Sequence, residues 1–259
     1  MQDLRVSLVQ SMLHWEDAAA NRAMFAQKLS ALKGATDLVV LPEMFTTGFS
    51  MRSLELAETM DGPTVAWMCE QAMSLDAAIY GSVIVSDNGR HFNRGLFVEP
   101  SGNVTVYDKR HLFRFADENE HYSPGTKRVI VEWRGWNVLL QVCFDLRFPV
   151  FSRNRNDYDA ILYVSNWPEA RRYPWSQLLI ARAIENQCYV VGENRVGMDG
   201  KGIHYSGDSV VIDPRGAAIG GIAPSQEGTA TVAMDWNALA GFREKFPVEK
   251  DADDFRLLL

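Results

Sequence analysis

A short apolar run that stops abruptly at polar residues constrains this fold more than any other feature. Residues 138–142 are aliphatic or β-branched apart from one glutamine, and Cys143 follows directly. Such a run predicts a buried strand. Asp145 and Arg147 come next, and Pro149 then starts a new element. Reactive groups in α/β proteins commonly lie where a buried strand ends, so Cys143 is a candidate nucleophile.

The competing interpretation of Cys143 is an inert core thiol, because free cysteine is among the most buried residue types. Its polar neighbours favour the reactive interpretation. A free thiol has a pKa of about 8.5, so a nucleophilic cysteine needs a nearby base or cation. None of the five histidines has a spacing that marks a catalytic triad. The remaining candidates are a carboxylate, Glu43, and an amine, Lys109.

Glu43 and Lys109 each follow a predicted strand. Residues 37–41 are continuously apolar after Asp37, which is typical of a strand buried on both faces, and Glu43 lies just beyond this run. Lys109 follows the predicted strand 104–107 among aromatic neighbours. A single glutamate or lysine is usually a solvated surface residue. Apolar surroundings favour a functional site instead, since they raise the pKa of a carboxylate towards that of a general base.

Three segments together resemble the nitrilase superfamily of carbon–nitrogen hydrolases, over nearly the whole chain. They are Leu-Pro-Glu at Glu43, Tyr-Asp-Lys-Arg-His-Leu-Phe at Lys109 and Cys-Phe-Asp-Leu-Arg-Phe-Pro at Cys143. The second and third segments are similar to the omega-amidase branch, which hydrolyses ω-amides of oxo-dicarboxylic acids. Nitrilases proper tend to carry Trp-Glu after the cysteine, where this chain has Phe-Asp.

The resemblance implies a role for each of these groups. Cys143 is expected to attack the amide carbon, and Glu43 to act as the general base. Lys109 is expected to stabilise the oxyanion together with the backbone N–H of Phe144. The superfamily also has a second glutamate near the lysine. Glu118 has the better spacing for it and Glu120 is the alternative, although a solvated acidic loop over residues 117–122 is also consistent with the sequence.

A substrate pocket is predicted around Cys143. The guanidinium of Arg147 is a candidate partner for a substrate carboxylate, and a structural ion pair with Asp145 or a neighbouring residue is the alternative. The resemblance implies that the loop after the predicted strand 160–164 lines the pocket. The expected pocket residues are Asn166 in that loop and three apolar walls, Phe45, Phe113 and Trp167.

Composition limits the remaining possibilities. The 259 residues are 47% hydrophobic and have a net charge of −7 with acids and bases mixed along the chain, which argues against a nucleic-acid surface. Three cysteines cannot form a disulfide framework, and no apolar run is long enough for a membrane span. We therefore expect a cytoplasmic protein that forms one domain over residues 1–259. No metal or organic cofactor is expected, because the histidines and cysteines lack zinc-site spacing.

The order of predicted strands and helices indicates an α/β protein made of two similar halves. The resemblance adds a four-layer αββα sandwich of two mixed sheets with helices outside. It also implies a homodimer in which the tail, residues 244–259, docks at the interface. Two further functional hypotheses stay open: another reaction of the superfamily, on nitriles, aliphatic amides or N-carbamoyl compounds, and a non-catalytic dimeric binding protein with an inert thiol.

Overall fold

The computed structural model describes residues 2–257. Its strands, in chain order, are β1 Leu4–Gln10, β2 Leu38–Val40, β3 Ala78–Asp87, β4 Arg90–Val98, β5 Val104–Asp108, β6 Ile130–Trp133, β7 Trp136–Val142, β8 Ala160–Ser165, β9 Tyr189–Asn194, β10 Val196–Met198, β11 His204–Ser206, β12 Val210–Ile212, β13 Ala218–Gly221 and β14 Gly228–Met234. Its α-helices are α1 Ala18–Ser30, α2 Ser53–Leu56, α3 Pro63–Leu75, α4 Glu118–His121, α5 Pro149–Ser152, α6 Arg172–Asn186 and α7 Trp236–Lys245.

Two six-stranded mixed sheets form the centre of the molecule, in the orders β14-β1-β2-β3-β4-β5 and β13-β12-β9-β8-β7-β6. Three neighbouring strands in each sheet are parallel, namely β1 to β3 in the first and β7 to β9 in the second. The outer pairs are antiparallel. This arrangement confirms the predicted pair of mixed sheets. The last strand, β14, crosses back to pair with β1, so the two sheets do not correspond simply to two halves of the chain.

Side chains along a strand point alternately to the two faces of its sheet, and this alternation explains how the sheets and helices are layered. Val6 and Leu8 of β1 share an apolar cluster with Leu140 of β7, and this cluster fills the space between the sheets. Val9 faces the other way and packs with Phe25 of α1 in a separate cluster that also includes residues of α3. Residues of α6 cover the second sheet from outside. The predicted order of helix, sheet, sheet and helix is therefore confirmed.

Local signals set several of these boundaries. Asp17 caps α1, because its Oδ1 accepts a hydrogen bond from the backbone N–H of Ala20 at 2.9 Å. Asn88 and Gly89 both have positive φ angles, 48° and 72°, and join β3 to β4. Two consecutive positive φ angles are what a two-residue hairpin turn requires, and an Asn-Gly pair adopts them readily.

The structure differs from the sequence prediction in two segments near the site. The acidic segment 117–122, predicted as a loop, contains the short helix α4. Residues 196–206 form a hairpin of β10 and β11 that the sequence pattern did not indicate. Each of these elements has only three or four residues, which is too short for hydrophobic periodicity to reveal.

The C-terminal segment lies against its own chain. The Gln187 amide donates to the carbonyl of Phe246 at 2.8 Å, and the Arg155 guanidinium donates to that of Phe255 at 2.9 Å. Its place at a dimer interface stays a prediction, and residues 258 and 259 of the predicted tail lie outside the described part of the chain. Over residues 2–257, no helix is both long and apolar enough to cross a membrane.

Candidate active site

The two sheets bring the three predicted catalytic side chains to one place. Glu43 follows β2, Lys109 follows β5 and Cys143 follows β7. Lys109 Nζ lies 2.8 Å from Glu43 Oε1, and all three residues are buried. Lys109 and Cys143 line the same cavity. The fold therefore assembles a thiol, a carboxylate and an ammonium from distant parts of the sequence.

Cys143 occupies a strained turn. It is the first residue of the 3₁₀ turn Cys143–Arg147, and its φ angle is 46°, a region that residues with a Cβ atom rarely adopt. Strain of this kind persists only where surrounding contacts maintain it, and it concentrates at functional sites. The turn leaves Cys143 8% exposed at the cavity, whereas Cys188 is completely buried in the core. Its position therefore favours a reactive thiol over an inert one.

Glu43 is held by hydrogen bonds from three sides. Oε1 accepts from the Asn93 amide and from Lys109 Nζ, both at 2.8 Å. Oε2 accepts from the backbone N–H of Asn166 at 2.8 Å, and the Asn166 amide donates to the Glu43 carbonyl at 2.6 Å. A carboxylate with this many donors has one orientation. Asn166, predicted as a pocket residue, therefore also fixes the predicted base.

Lys109 lies between two buried carboxylates. Its Nζ donates to Glu43 Oε1 and to both oxygens of Glu118, at 3.0 and 2.9 Å. Burial lowers the pKa of Lys109, but the charges of Glu118 and Glu43 outweigh it, so the amine stays protonated. Glu120 is exposed on the other side of α4. Of the two predicted alternatives, Glu118 is therefore the carboxylate that contacts the lysine.

The surroundings of the Cys143 thiol favour its protonated form. Burial raises the pKa of Cys143 well above that of an ordinary thiol, and the neighbouring Glu43 carboxylate raises it further against the opposing charge of Lys109. Burial likewise raises the pKa of Glu118, with Glu43 adding to the effect and Lys109 opposing it. A protonated thiol is a poor nucleophile, so it must lose its proton as it attacks.

The raised pKa of Cys143 makes a testable prediction about its alkylation. In a Cys69→Ala/Cys188→Ala background, the second-order rate of reaction with iodoacetamide should keep rising through pH 9, because the thiolate is the reacting form. A mass-spectrometric time course at a series of pH values measures this rate. A plateau already reached below pH 7 would show a preformed thiolate and contradict this description.

Sequence reasoning missed Asn93, which joins the two glutamates. Its amide nitrogen donates to Glu43 Oε1 at 2.8 Å and to Glu118 Oε1 at 3.0 Å, while its Oδ1 accepts from the Ser82 hydroxyl at 2.8 Å. Both Ser82 and Asn93 are completely buried, in β3 and β4. The sequence does not single out Asn93, because β4 also contains the polar residues Arg90, His91 and Arg94.

Asp145 was also missed as a positioning residue. Its carboxylate accepts from the Tyr107 hydroxyl at 2.7 Å, from the backbone N–H of His111 at 2.9 Å and from that of Val142 at 3.0 Å, and it lies 2.7 Å from His111 Nδ1. These bonds tie the segment around Lys109 to the Cys143 turn. The same contacts exclude one alternative role of Arg147. Because they use both carboxylate oxygens of Asp145, Arg147 forms no ion pair with Asp145.

A cavity of about 520 Å³ opens above Cys143. The predicted pocket residues Phe113, Phe144, Arg147, Asn166 and Trp167 all line it. The volume and the apolar walls suit a small organic molecule.

The prediction that Phe45 forms a wall of this cavity is wrong. Phe45 is completely buried and packs edge-on against Phe25 at a ring distance of 5.5 Å, with Trp67 on another side at 5.9 Å. The reason is the tight turn at Met44, where φ is 43°. This turn directs Glu43 towards the site and Phe45 into the core between the first sheet and its helices. Phe49, further along the loop, lines the cavity instead.

The β10–β11 hairpin supplies another part of the cavity wall. Asp199, Lys201 and Tyr205 line the cavity from this hairpin. Asp199 fixes its conformation, because Oδ1 accepts from the backbone N–H of Lys201 at 2.8 Å and Oδ2 accepts from the Tyr205 hydroxyl at 3.0 Å. Arg171 lines the cavity from the loop that precedes α6. None of these residues was predicted.

A buried thiol beside a carboxylate and an ammonium, at the base of an apolar cavity, can carry out acyl transfer through a covalent thioester. The carboxylate can move the thiol proton, and the ammonium can stabilise negative charge on an acyl oxygen. The fold and the site together have the groups that a hydrolase with a cysteine nucleophile requires.

Known proteins place the chain within this class. Residues 5–244 match the Carbon-nitrogen hydrolase family. The chain is 51% identical to "Omega-amidase YafV" of Escherichia coli (strain K12), over 99% of this chain and 100% of the relative. It is 34% identical to "2-oxoglutaramate amidase" of Bacillus subtilis (strain 168), over 83% and 84% of the two chains. The structure of XC1258 from Xanthomonas campestris, a "CN-hydrolase Superfamily Protein with an Arsenic Adduct in the Active Site", has a TM-score of 0.98 at 50% identity and covers 99% of this chain and 100% of that one.

The chain therefore belongs to the carbon–nitrogen hydrolase family, within the nitrilase superfamily. It is an enzyme that hydrolyses carbon–nitrogen bonds.

Proposed function

We propose that this enzyme hydrolyses the ω-amide of small oxo-dicarboxylic acid monoamides, above all 2-oxoglutaramate and 2-oxosuccinamate, to the dicarboxylate and ammonia. One observation carries the proposal. The cavity that holds Cys143 and Lys109 also holds the guanidinium of Arg147, which has no carboxylate partner in the described chain. The names of the omega-amidase and 2-oxoglutaramate amidase relatives support the same substrate class.

The first half of the reaction forms a thioester. Cys143 Sγ attacks the amide carbon while Glu43 takes the thiol proton. The carbonyl oxygen becomes an oxyanion, and Lys109 and the backbone N–H of Phe144 stabilise it. Glu43 then delivers the proton to the leaving nitrogen, and the C–N bond breaks to release ammonia. Glu118 and Asn93 hold the lysine and the base in place throughout.

The second half releases the acid. Glu43 removes a proton from a water molecule, which attacks the thioester carbon. The same oxyanion donors stabilise the second tetrahedral intermediate. When this collapses, the C–S bond breaks, the proton returns to Cys143 and the dicarboxylate leaves. The sum is one amide and one water converted to one carboxylic acid and one ammonia.

The cavity provides for both parts of such a substrate. Phe113, Phe144 and Trp167 are apolar walls for a short carbon chain. The Arg147 guanidinium lies 5.2 Å from the Trp167 ring. A guanidinium that lies over a ring keeps the N–H groups in its own plane available, and these can bind a carboxylate bidentately. This arrangement orients the amide end of the substrate towards Cys143.

A panel of candidate substrates tests the proposal. We expect 2-oxoglutaramate and 2-oxosuccinamate to give the highest kcat/KM for ammonia release, because they alone combine an ω-amide, a carboxylate and a short oxo-acid chain. The comparison compounds are asparagine, simple aliphatic amides, a nitrile and an N-carbamoyl amino acid. A preference for nitriles, N-carbamoyl compounds or uncharged amides would sink the substrate assignment while leaving the Cys143 mechanism standing.

We further propose that the enzyme acts in the cytoplasm and as a homodimer. Cys69, Cys143 and Cys188 are all free thiols, which suits a reducing compartment. The family resemblance suggests the dimer.

A further inference from the structure

Three cations that line the cavity lack a carboxylate partner. Within residues 2–257, Arg147, Arg171 and Lys201 form no ion pair, although Lys109 beside them forms two. Two aspartates, Asp117 and Asp199, also line the cavity and offset part of this charge, but within residues 2–257 neither forms an ion pair with one of the three cations. Three cationic side chains therefore remain available to a bound anion.

Arg171 contacts two aromatic residues of the cavity wall. Its backbone carbonyl accepts a hydrogen bond from Trp167 Nε1 at 2.7 Å, which fixes its main chain. Its guanidinium lies 5.1 Å from the centroid of the Phe113 ring. Phe113 is itself anchored, since its backbone N–H donates to Glu118 Oε2 at 2.6 Å. Hydrogen bonds therefore hold both the main chain of Arg171 and the backbone of Phe113, whose ring the guanidinium approaches.

The two arginines have the same chemical surroundings. Each guanidinium lies over an aromatic ring of the cavity wall, Arg147 over Trp167 at 5.2 Å and Arg171 over Phe113 at 5.1 Å from the ring centroid. Neither donates a side-chain hydrogen bond to any residue that the structure describes. The adjacent Arg172 is different, because its Nε and Nη2 atoms donate to Asp208 Oδ1 at 3.0 and 2.7 Å and it does not line the cavity. An arginine that is held by a ring but lacks a hydrogen-bond acceptor is free to bind one from a ligand.

We propose that Arg171 is a second carboxylate-binding residue of the substrate site, which acts with Arg147 to select amides that carry a carboxylate. This inference rests on the proposed function and extends it to a residue outside the Glu43, Lys109 and Cys143 motifs. The acid end of the substrate binds the guanidiniums of Arg147 and Arg171, while the amide end extends to Cys143. An uncharged amide gains nothing from either guanidinium.

Steady-state kinetics with 2-oxoglutaramate test Arg171, using Arg171→Ala, Arg171→Lys and the matched control Arg172→Ala. A hydrogen-bonded charge pair contributes roughly 1.5–3 kcal/mol, so Arg171→Ala should raise KM by about 10- to 100-fold while kcat changes by less than about threefold. Arg171→Lys keeps the charge but loses the planar fork, so its KM should fall between those of the parent and the alanine variant. Arg172→Ala should keep the parent KM, and thermal melting should confirm that every variant is folded.

The possible failures are distinguishable. If the parent enzyme releases no ammonia from 2-oxoglutaramate, the proposed function and this inference both fall. If the parent is active and Arg171→Ala keeps its KM within about twofold, only the assignment of Arg171 is overturned. An equal rise in KM for Arg172→Ala would also overturn it, since the effect would then come from surface charge in general.

Discussion

Replacing Cys143 with alanine is expected to abolish amide hydrolysis while leaving the fold intact. Removing the nucleophile of an acyl-transfer enzyme costs on the order of 10⁶-fold in kcat. Alanine keeps the Cβ atom, so the strained φ angle of the turn is no more costly than in the parent. Ammonia release measures the loss of turnover, and far-UV circular dichroism with thermal melting measures the fold.

Two other cysteine variants are the matched controls for Cys143→Ala. Cys69 is partly exposed in α3 and Cys188 lies in the core, both outside the cavity. Cys69→Ala and Cys188→Ala should keep most of the activity, which separates a general effect of thiol removal from loss of the nucleophile. Substantial hydrolysis by pure Cys143→Ala protein would rule out the proposed role of this thiol.

Replacing Lys109 with methionine is expected to lower kcat by at least roughly 100- to 1,000-fold, the usual effect of removing one oxyanion donor. The variant should also melt at a lower temperature. The change leaves Glu43 and Glu118 facing each other in a buried site, and breaking a buried ion pair typically costs about 3–5 kcal/mol. Turnover and melting together therefore report on both roles of the lysine.

A double variant separates these two roles. Adding Glu118→Gln to Lys109→Met removes one buried charge, so the double variant should melt closer to the parent than Lys109→Met alone. Its turnover should stay low, because the oxyanion donor is still absent. If the double variant recovered parental turnover, Lys109 would be a structural ion-pair partner and its catalytic assignment would be wrong.

Much of the site could be predicted because its main groups follow continuous apolar strands. The runs before Glu43 and Cys143 are buried parallel strands, and such strands place the residues that follow them at one edge of a sheet. The ordered motifs at Glu43, Lys109 and Cys143 then indicated the family. The choice between Glu118 and Glu120 needed the structure, because the orientation of the four-residue helix α4 decides which carboxylate reaches Lys109.

The rest of the site depends on contacts that no local pattern encodes. Asn93 and Asp145 act through side chains that are distant in sequence, and only the folded chain brings their partners together. Phe45 was misplaced because a single residue with positive φ, Met44, reverses the direction of the chain after Glu43. Arg171 was missed because it is adjacent to Arg172 in Glu-Ala-Arg-Arg-Tyr. The sequence does not show which of the two arginines lines the cavity; only their contacts do.

The most direct test of the substrate assignment is the ratio of kcat/KM for 2-oxoglutaramate and glutamine. Both compounds carry the same ω-amide, the same carboxylate and the same chain length, and they differ only in an oxo group against an ammonium. The cavity wall has three cations without an ion pair in residues 2–257, Arg147, Arg171 and Lys201, against two aspartates, so it disfavours that ammonium. Like charges placed together cost several kcal/mol, so we expect 2-oxoglutaramate to be preferred by on the order of 100-fold or more. An equal or greater kcat/KM for glutamine would contradict the assignment.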